Sequence, residues 1–210
     1  MSRERGPDRR LNPYRDDLAS AHLRGEVKAR RFVEGVDRQV KASSLPLLRR
    51  PEADAPMDTQ LLYGETFRVL EEKHGWAWGQ SVLDDYVGYV EAKELTRRPE
   101  APTHTVAALR TFLYPKPDLK TRPATPLSMN AKLTIVAARG HFSETVNGQW
   151  VFTAHLAKLG AHVRDFVAVA EEFIGVPYLW GGRDSLGLDC SGLVQMSLER
   201  AGRCRAYGAC

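Results

Sequence analysis

The stretch from residue 177 to residue 195 contains residue types whose spacing suits covalent catalysis. It reads PYLWGGR from residue 177 and DCSGLVQ from residue 189. The apolar residues after Cys190 recur at helical spacing, so we expect a helix that begins at this cysteine and ends before Gly202. A thiol there lies among free backbone N–H groups at the positive end of the helix dipole, and both favour the nucleophilic thiolate. The alternative is a small buried residue at a tight helix start, which is the commoner role of a free cysteine.

Asp189 and Ser191 flank this thiol and have a simple structural interpretation. Asp is a preferred N-cap residue, and its side chain would accept hydrogen bonds from the first N–H groups of the helix. A carboxylate beside a thiol, however, opposes formation of the thiolate by charge repulsion. A segment that served thiol reactivity alone would not place an acid there, which leaves a second role for Asp189 open.

The two halves of this stretch resemble the signature of the NlpC family, a papain-like group of bacterial cell-wall cysteine peptidases. The resemblance covers a Tyr twelve residues before the Cys, the Gly pair, and the Asp-Cys-Ser-Gly sequence that begins a helix. It implies that Cys190 is the nucleophile, that its backbone N–H helps form the oxyanion hole, and that Tyr178 places its hydroxyl beside the thiol. It also implies cleavage of the bond between γ-D-glutamate and a diamino acid in peptidoglycan peptides, without a metal or organic cofactor.

The same resemblance implies a binding site for the substrate. In relatives that carry SH3-like barrels, Asp189 and Ser191 resemble residues that hold the free N-terminal amine of an L-Ala-γ-D-Glu peptide. A tyrosine of the first barrel helps there, and the best match is Tyr86, although a core aromatic explains it equally well. Arg183 could face a substrate carboxylate, but a solvated arginine is the simpler interpretation. Because the first barrel would close one end of the cleft, we expect short peptides as substrates and not the polymeric wall.

A cysteine peptidase also needs a base, and in the family the base and the residue that orients it lie downstream of the cysteine. The histidines of this chain all precede Cys190, and none matches a family base: His22, His74, His104, His141, His155 and His162. We therefore expect a truncated catalytic domain, inactive as residues 1–210, with the apolar faces of helices 165–175 and 190–200 left uncovered. The rival hypothesis is a non-catalytic protein whose barrels bind a peptidoglycan peptide.

Two similar segments precede the cysteine region and must position it. GETFRVLEEKHGWAWGQ at residues 64–80 aligns without a gap with NAKLTIVAARGHFSETV at residues 130–146, at an offset of 66 residues that indicates a tandem duplication. The first copy resembles the bacterial SH3-like barrel, in which a Gly-Trp pair follows the central hairpin. The predicted fold class is mainly β with an α+β end, in which two tandem SH3-like β-barrels precede an incomplete papain-like domain.

Turn residues and prolines set the predicted boundaries. A disordered arm (residues 1–12) and a short helix that starts near Pro13 make up residues 1–37. The barrels are predicted at 38–96 and 103–159, with a Pro-rich loop at 115–126, and the catalytic segment at 163–210. Asp165 is the predicted cap of the first helix of that segment.

Composition limits the remaining possibilities. The chain has 210 residues, a net charge of +4, 43% hydrophobic and 27% charged residues, as in soluble globular proteins. Basic residues are scattered, so a nucleic-acid partner is not expected. The N-terminus has no apolar signal region, and no stretch is long enough to span a membrane. Cys190, Cys204 and Cys210 form no disulfide framework, so we expect a cytoplasmic protein that acts on released muropeptides.

Overall fold

The computed structural model describes residues 7–203, so Cys204 and Cys210 lie outside the described residues. Strands dominate this part of the chain, which confirms the predicted mainly β class with a helical end. The strands are β1 Leu18–Ser20, β2 Arg31–Val33, β3 Val36–Val40, β4 Ser44–Leu48, β5 Met57–Leu62, β6 Thr66–Lys73, β7 Trp76–Ser81, β8 Val87–Glu91, β9 Leu95–Thr96, β10 His104–Val106, β11 Arg110–Leu113, β12 Thr125–Ser128, β13 Lys132–Leu133, β14 Ile135–Arg139, β15 Phe142–Thr145, β16 Trp150–Phe152, β17 Leu156–Lys158, β18 Arg183–Asp184 and β19 Gly187–Leu188. The α-helices of the described residues are α1 Phe166–Glu171 and α2 Cys190–Arg200, and 3-10 helices lie at Ala21–Leu23, Ala92–Glu94 and Thr153–His155.

The N-terminal segment is mostly extended, and the short helix predicted there is reduced to a single 3-10 turn at Ala21–Leu23. β1 pairs in parallel with β2, and all three residues of β1 are buried, whereas an amphipathic helix would bury only one side. Residues 7–12, predicted to be disordered, contact the neighbouring strands. The Arg10 carbonyl accepts the backbone N–H of Val87 at 2.8 Å, and the Leu11 carbonyl accepts Gln80 Nε2 at 2.9 Å. The Arg15 guanidinium stacks 4.3 Å above the Trp78 ring.

The first β unit (residues 36–96) is a seven-stranded sheet in the order β5-β4-β8-β7-β6-β3-β9. Its hairpin β6-β7 follows from strict alternation, because Phe67 and Val69 are buried while Arg68 between them is exposed. His74 and Gly75 both have positive φ, +52° and +83°, as a tight two-residue hairpin turn requires. The core residues of this unit are Val40, Leu45, Leu47, Leu61, Phe67, Val69, Ala77, Val90, Ala92 and Leu95.

The second β unit (residues 103–159) consists of three small sheets, β13-β10-β17, β11-β12 and β14-β15-β16. They surround a separate core made by Val106, Leu113, Leu127, Ala131, Leu133 and Val151. The Pro-rich loop is shorter than predicted, since β12 already begins at Thr125. Pro126 is tolerated there because β12 pairs with β11 alone in a two-stranded sheet.

The 66-residue offset read from the sequence recurs in backbone geometry. The β6-β7 ladder has a register shift between Val69 and Glu71, and the β14-β15 ladder has one between Ile135 and Ala137. Gly64 and Asn130, which are also 66 residues apart, both have left-handed backbones, with φ of +79° and +67°. Bulges re-aim strands at defined positions, so the two hairpins share one local design.

The C-terminal segment packs against both β units, so the expectation of uncovered helices is correct only in part. Val167 of α1 and Val194 of α2 remain 52% and 54% exposed. The buried residues of the segment form one cluster with a leucine of β5 and a methionine that follows β12, and the members are Leu62, Met129, Val169, Phe173, Leu188 and Met196. The first helix is shorter than the predicted 165–175, and its apolar face does not extend to the predicted end. The α1 helix stops at Glu171, so Ile174 lies beyond it and is 82% exposed. Within residues 7–203, no helix has the length and apolar character needed to cross a membrane.

Candidate active site

Cys190 is the first residue of α2, and its side chain is exposed, unlike that of a structural core cysteine. The preceding residue, Asp189, caps the helix as predicted. Its Oδ1 accepts the Gly192 N–H at 2.6 Å and the Ser191 hydroxyl at 2.7 Å, and its Oδ2 accepts the Gly181 N–H at 3.0 Å. One carboxylate therefore holds the start of the helix together with the Gly-rich loop, which comprises residues 177–188. The substrate roles of Asp189 and Ser191 stay predictions.

Glycines bring the loop and the helix into direct backbone contact. A Cβ atom on Gly192 would lie 2.1 Å from the carbonyl oxygen of Gly182, and one on Gly182 would lie 2.5 Å from that of Gly187. The Asp189 N–H donates to the Gly182 carbonyl at 3.2 Å. Any larger side chain at these glycines would separate the two backbones, so their spacing sets where the thiol lies.

Tyr178 lies beside Leu188, in the segment that directly precedes α2. It forms a parallel β-bridge with Leu188, and the Leu179 N–H donates to the Leu188 carbonyl at 2.9 Å. Its ring is 66% exposed, as is that of Trp180. The backbone thus places Tyr178 within reach of the cysteine region, and the role of its hydroxyl beside the thiol stays a prediction.

The structure contradicts both interpretations of Arg183, as a substrate contact and as a solvated arginine, because its side chain is only 2% exposed. Nη2 lies 2.9 Å from Glu65 and 3.3 Å from Glu199, while Nη1 donates to the Gln60 carbonyl at 3.0 Å and lies 3.7 Å from Asp84. Burial opposes its charged form, but the surrounding carboxylates outweigh burial and raise the pKa of Arg183. A guanidinium committed to so many internal acceptors does not face a substrate.

Opposing electrostatic effects act on the acids of this cluster. Burial disfavours the charge of Glu65, yet the positive charges of Arg183 and Lys132 prevail and hold the pKa of Glu65 below its usual range. For Asp84, burial prevails and raises its pKa, although Arg183 partly offsets the effect. Burial likewise opposes the charge of Lys132, but Glu199 and Glu65 raise its pKa. The cluster therefore holds Glu65 ionised and disfavours the charge of Asp84.

Tyr86 directly precedes β8, in the turn that connects β7 and β8 of the first β unit. Its side chain is partly buried against the core, as a core aromatic would be. Its backbone N–H donates to Asp84 Oδ1 at 3.4 Å, and Asp84 faces Arg183 of the Gly-rich loop. The structure thus brings the turn of Tyr86 to the same junction as the cysteine loop, while its part in amine binding stays a prediction.

None of the histidines within residues 7–203 forms a hydrogen bond with Cys190. Three of them contact nearby hydroxyls through Nδ1: His22 with Ser20, His104 with Thr103, and His155 with Thr111. Desolvation by burial lowers the pKa of His104, assisted by Lys158. No cluster of metal-ligating side chains is found in the described part of the chain.

Sequence reasoning missed the ionic cluster around Arg183. Arg183 contacts Gln60, Glu65, Asp84 and Glu199, and Lys132 pairs with Glu65 and Glu199. They come from all three parts of the chain, so no local pattern links them. One signal was available, because Glu65 stands directly after the apolar run Leu61-Leu62 and a glycine turn. An acid at such a buried position requires a cation as its partner.

Two family matches agree with the two motifs. Residues 47–95 match the family described as the bacterial dipeptidyl-peptidase SH3 domain, and residues 175–206 match the NlpC/P60 family. The first match lies within the first β unit, and the second includes the Gly-rich loop, Asp189 and Cys190. The resemblance inferred from the sequence is confirmed for both segments. The assignment of the second β unit as another SH3-like barrel stays a prediction.

Curated relatives are similar over about 160 to 175 residues. The chain is 22% identical to dipeptidyl-peptidase 6 of Lysinibacillus sphaericus, over 72% of this chain and 64% of that protein. It is 28% identical to gamma-D-glutamyl-L-lysine dipeptidyl-peptidase of Bacillus subtilis (strain 168), over 67% of this chain and 52% of that protein. The matched region thus spans between half and two thirds of the length of these relatives.

A solved structure shares the fold. The crystal structure of an NlpC/P60 family protein from Bacillus cereus ATCC 10987 superposes with a TM-score of 0.67, over 79% of this chain and 72% of that chain, at 19% identity. At this identity the likeness concerns the fold, which agrees with a mostly β architecture that ends in short helices.

Proposed function

We propose that this chain, which combines an SH3 domain of the bacterial dipeptidyl-peptidase type with an NlpC/P60 segment and is a cysteine peptidase by family, carries the nucleophile for hydrolysis of γ-D-glutamyl-diamino acid bonds in peptidoglycan-derived peptides. Residues 1–210 alone should have little activity, because within residues 7–203 no histidine is hydrogen-bonded to Cys190. The observation that carries the proposal is the exposed Cys190 at the start of α2, held by Asp189 against the Gly-rich loop. One relative is named for a γ-D-glutamyl-L-lysine substrate, which supports this bond class.

The reaction proposed is acyl transfer through a thioester. The Cys190 sulfur attacks the scissile carbonyl carbon, and negative charge develops on the carbonyl oxygen. The Cys190 N–H is in the first turn of α2, where N–H groups have no intrahelical acceptor, so it can donate to this oxygen. The carbon–nitrogen bond breaks, the leaving amine takes a proton from a general acid, and water then hydrolyses the thioester to restore the thiol.

Selection of a free N-terminus is the finer part of this proposal. An ionised carboxylate offers roughly four acceptor positions, and Asp189 fills three of them with Gly192, Ser191 and Gly181. The fourth is available to a substrate ammonium group, with Tyr86 contributed from the first β unit. Such a site accepts short peptides that begin with L-Ala-γ-D-Glu, and it suits turnover of released muropeptides in the cytoplasm.

Incubation of the purified chain with L-Ala-γ-D-Glu-L-Lys and its diaminopimelate counterpart, followed by mass spectrometry, tests the activity. The purified chain should release the diamino acid only slowly, because within residues 7–203 no histidine is hydrogen-bonded to Cys190. The release that does occur should be abolished by Cys190→Ala and unchanged in Cys204→Ser, a matched loss of another thiol. Cleavage that survives Cys190→Ala would refute the assignment of the nucleophile.

A non-catalytic peptide-binding role is the second candidate, favoured by the lack of a histidine hydrogen-bonded to Cys190 within residues 7–203. It predicts that the same peptides bind without being cleaved. It also predicts equal affinity for the parent chain and for Cys190→Ala, measured by calorimetry.

A further inference from the structure

The buried ionic cluster around Arg183 joins three parts of the molecule, and the peptidase chemistry proposed above does not use it. Arg183 belongs to β18 in the Gly-rich loop, Glu65 and Asp84 belong to the first β unit, and Glu199 belongs to α2. Desolvation of so many charges is costly, and apolar residues of similar volume often stabilise a protein as well. The cluster is therefore better explained by the geometry that it fixes than by stability.

One arm of the cluster reaches the turn that carries Tyr86. Asp84 Oδ1 accepts the Tyr86 N–H at 3.4 Å, and Oδ2 lies 3.7 Å from Arg183 Nη1. Asp85, which lies between Asp84 and Tyr86, has a left-handed backbone with φ of +62°, so the turn is tight. Within residues 7–203 the buried Oδ2 has no hydrogen-bond partner. Arg183 is therefore the cation that faces this oxygen, while Ser81 and the Tyr86 N–H hold the carboxylate from the side of the β unit.

The other arm reaches Asp189 and helix α2. The backbone N–H of Arg183 donates to Gln60 Oε1 at 2.8 Å, which fixes the Gly-rich loop to β5. Immediately before Arg183, the Gly182 carbonyl accepts the Asp189 N–H, and the Gly181 N–H donates to the Asp189 carboxylate. A displacement of Arg183 would therefore shift the loop and the Asp189 carboxylate relative to the first β unit.

We infer that Arg183 is a positioning residue for recognition of the substrate amine, because it sets the separation between Tyr86 on one wall and Asp189 on the other. The inference rests on the proposed function. Arg183 touches neither the scissile bond nor the thiol. Its replacement should weaken the preference for a free amine and leave the reactivity of Cys190 nearly unchanged, which a merely structural role would not do.

The test compares Asp84→Asn and Arg183→Lys in the full chain, with Arg68→Lys as the matched control. Arg68 pairs with Asp37 at 2.7 Å in the same β unit, but this pair is exposed. Calorimetry measures the affinity for L-Ala-γ-D-Glu and for its N-acetylated form. The parent should prefer the free amine about tenfold or more, the two cluster variants should lose most of that preference, and Arg68→Lys should keep it. The alkylation rate of Cys190 should change by less than about twofold in all three.

Two results would overturn the inference. In the first, folded Asp84→Asn and Arg183→Lys both keep the full preference for the free amine. In the second, alkylation of Cys190 slows in step with the lost preference, because the cluster would then merely support the fold.

If the parent chain shows no preference, the proposed amine recognition fails, and hydrogen exchange still tests the coupling. Arg183→Lys should then speed exchange in residues 84–88 and 181–189 together. Faster exchange in only one of these segments would contradict a role for Arg183 in joining them.

Discussion

Asp189 makes more contacts than a helix cap requires. The N-cap of α1, Asp165, accepts from the backbone N–H groups of Val167 and Ala168 alone. Asp189 instead joins a helix N–H, a hydroxyl and an N–H of a distant loop. Asp189 therefore fixes the backbone that carries Cys190, although a carboxylate beside a thiol disfavours the thiolate. We predict a second use for this carboxylate, in binding the substrate amine.

Acetylation of the substrate should expose this second use. If Asp189 binds an ammonium group, acetylation removes a charge-assisted hydrogen bond worth about 1.5–3 kcal/mol, and kcat/KM or affinity should fall about ten- to a hundredfold. Asp189→Asn should reduce this discrimination, whereas Asp165→Asn at the cap of α1 should not. Equal handling of free and acetylated peptides by the parent would refute amine recognition.

Thiol reactivity gives a separate prediction at the residue scale. Cys190 is exposed at a helix N-terminus, a setting that favours nucleophilic thiolates. In brief iodoacetamide treatment near pH ~6, Cys190 should be modified before Cys204 and Cys210, as mapped by mass spectrometry. Uniform labelling of the three cysteines would contradict a special setting for Cys190.

Local elements were predictable where a single local pattern determines them. The start of α2 at Cys190, its cap at Asp189 and the alternation of Phe67 with Val69 all follow from neighbours a few residues away. The sequence predicts an N-terminal helix from Leu18, His22 and Leu23 along one side. The structure keeps only a 3-10 turn at Ala21–Leu23, because Leu18 belongs to the buried strand β1, which pairs with β2 in a tertiary contact. The role of Arg183 was missed for the same reason, since its partners are distant in sequence.

The backbone contact between α2 and the Gly-rich loop yields an element-scale prediction. Gly192→Ala places a Cβ 2.1 Å from the Gly182 carbonyl, so the helix must shift, at a typical overpacking cost of about 1–3 kcal/mol. Gly175→Ala costs about 1–2 kcal/mol through its φ of +88°, but its Cβ meets open space. Both variants should lower the midpoint of urea unfolding, and only Gly192→Ala should change the alkylation rate of Cys190. The same rate in both variants would show that the contact does not position the thiol.

At the scale of the whole molecule, the parts meet through buried polar contacts as well as apolar ones. The Lys132 N–H donates to the Tyr63 carbonyl at 2.8 Å and joins the two β units. Asn130 Nδ2 donates to the Met196 carbonyl at 2.9 Å and joins the second unit to α2. Arg183 and Glu65 complete the junction between the first unit and the loop. A site that depends on such a junction should respond to its charge state.

The lowered pKa of Glu65 determines whether acid stabilises or destabilises this junction. The pKa of Glu65 in the folded protein is below the ordinary value of 4.5, because the positive charges of Arg183 and Lys132 outweigh burial. The stability that it contributes is therefore present above about pH 4.5 and is lost as the pH falls through the folded pKa. The raised pKa of Asp84 acts in the opposite direction, because the stability that Asp84 contributes is greatest below about pH 3.8 and is lost as the pH rises. Glu199 is the third acid that faces Arg183 and Lys132.

Glu65→Gln should consequently cost about 3–5 kcal/mol at neutral pH, the usual effect of breaking a buried ion pair, and less in acid. Urea unfolding at pH ~7 and pH ~3.5 measures the difference. Asp37→Asn, which breaks the exposed pair with Arg68, should cost at most about 1 kcal/mol at either pH. A penalty for Glu65→Gln that does not shrink in acid would contradict the assigned ionisation.

Limited proteolysis tests the packing of the C-terminal segment on the rest of the molecule. Leu62 and Met129 bury Val169, Phe173 and Met196, so each apolar side chain in this cluster contributes about 1.5–3 kcal/mol that an undocked segment would lose. The Pro-rich loop, by contrast, is exposed at Lys120, which is followed by Thr121 and is therefore a site that trypsin can cut. Trypsin should therefore cut first within residues 115–124, and the fragment that contains Cys190 should stay associated with the first β unit on size-exclusion chromatography. Early removal of residues beyond 163, with residues 38–159 left intact, would instead show that this segment is not docked in solution.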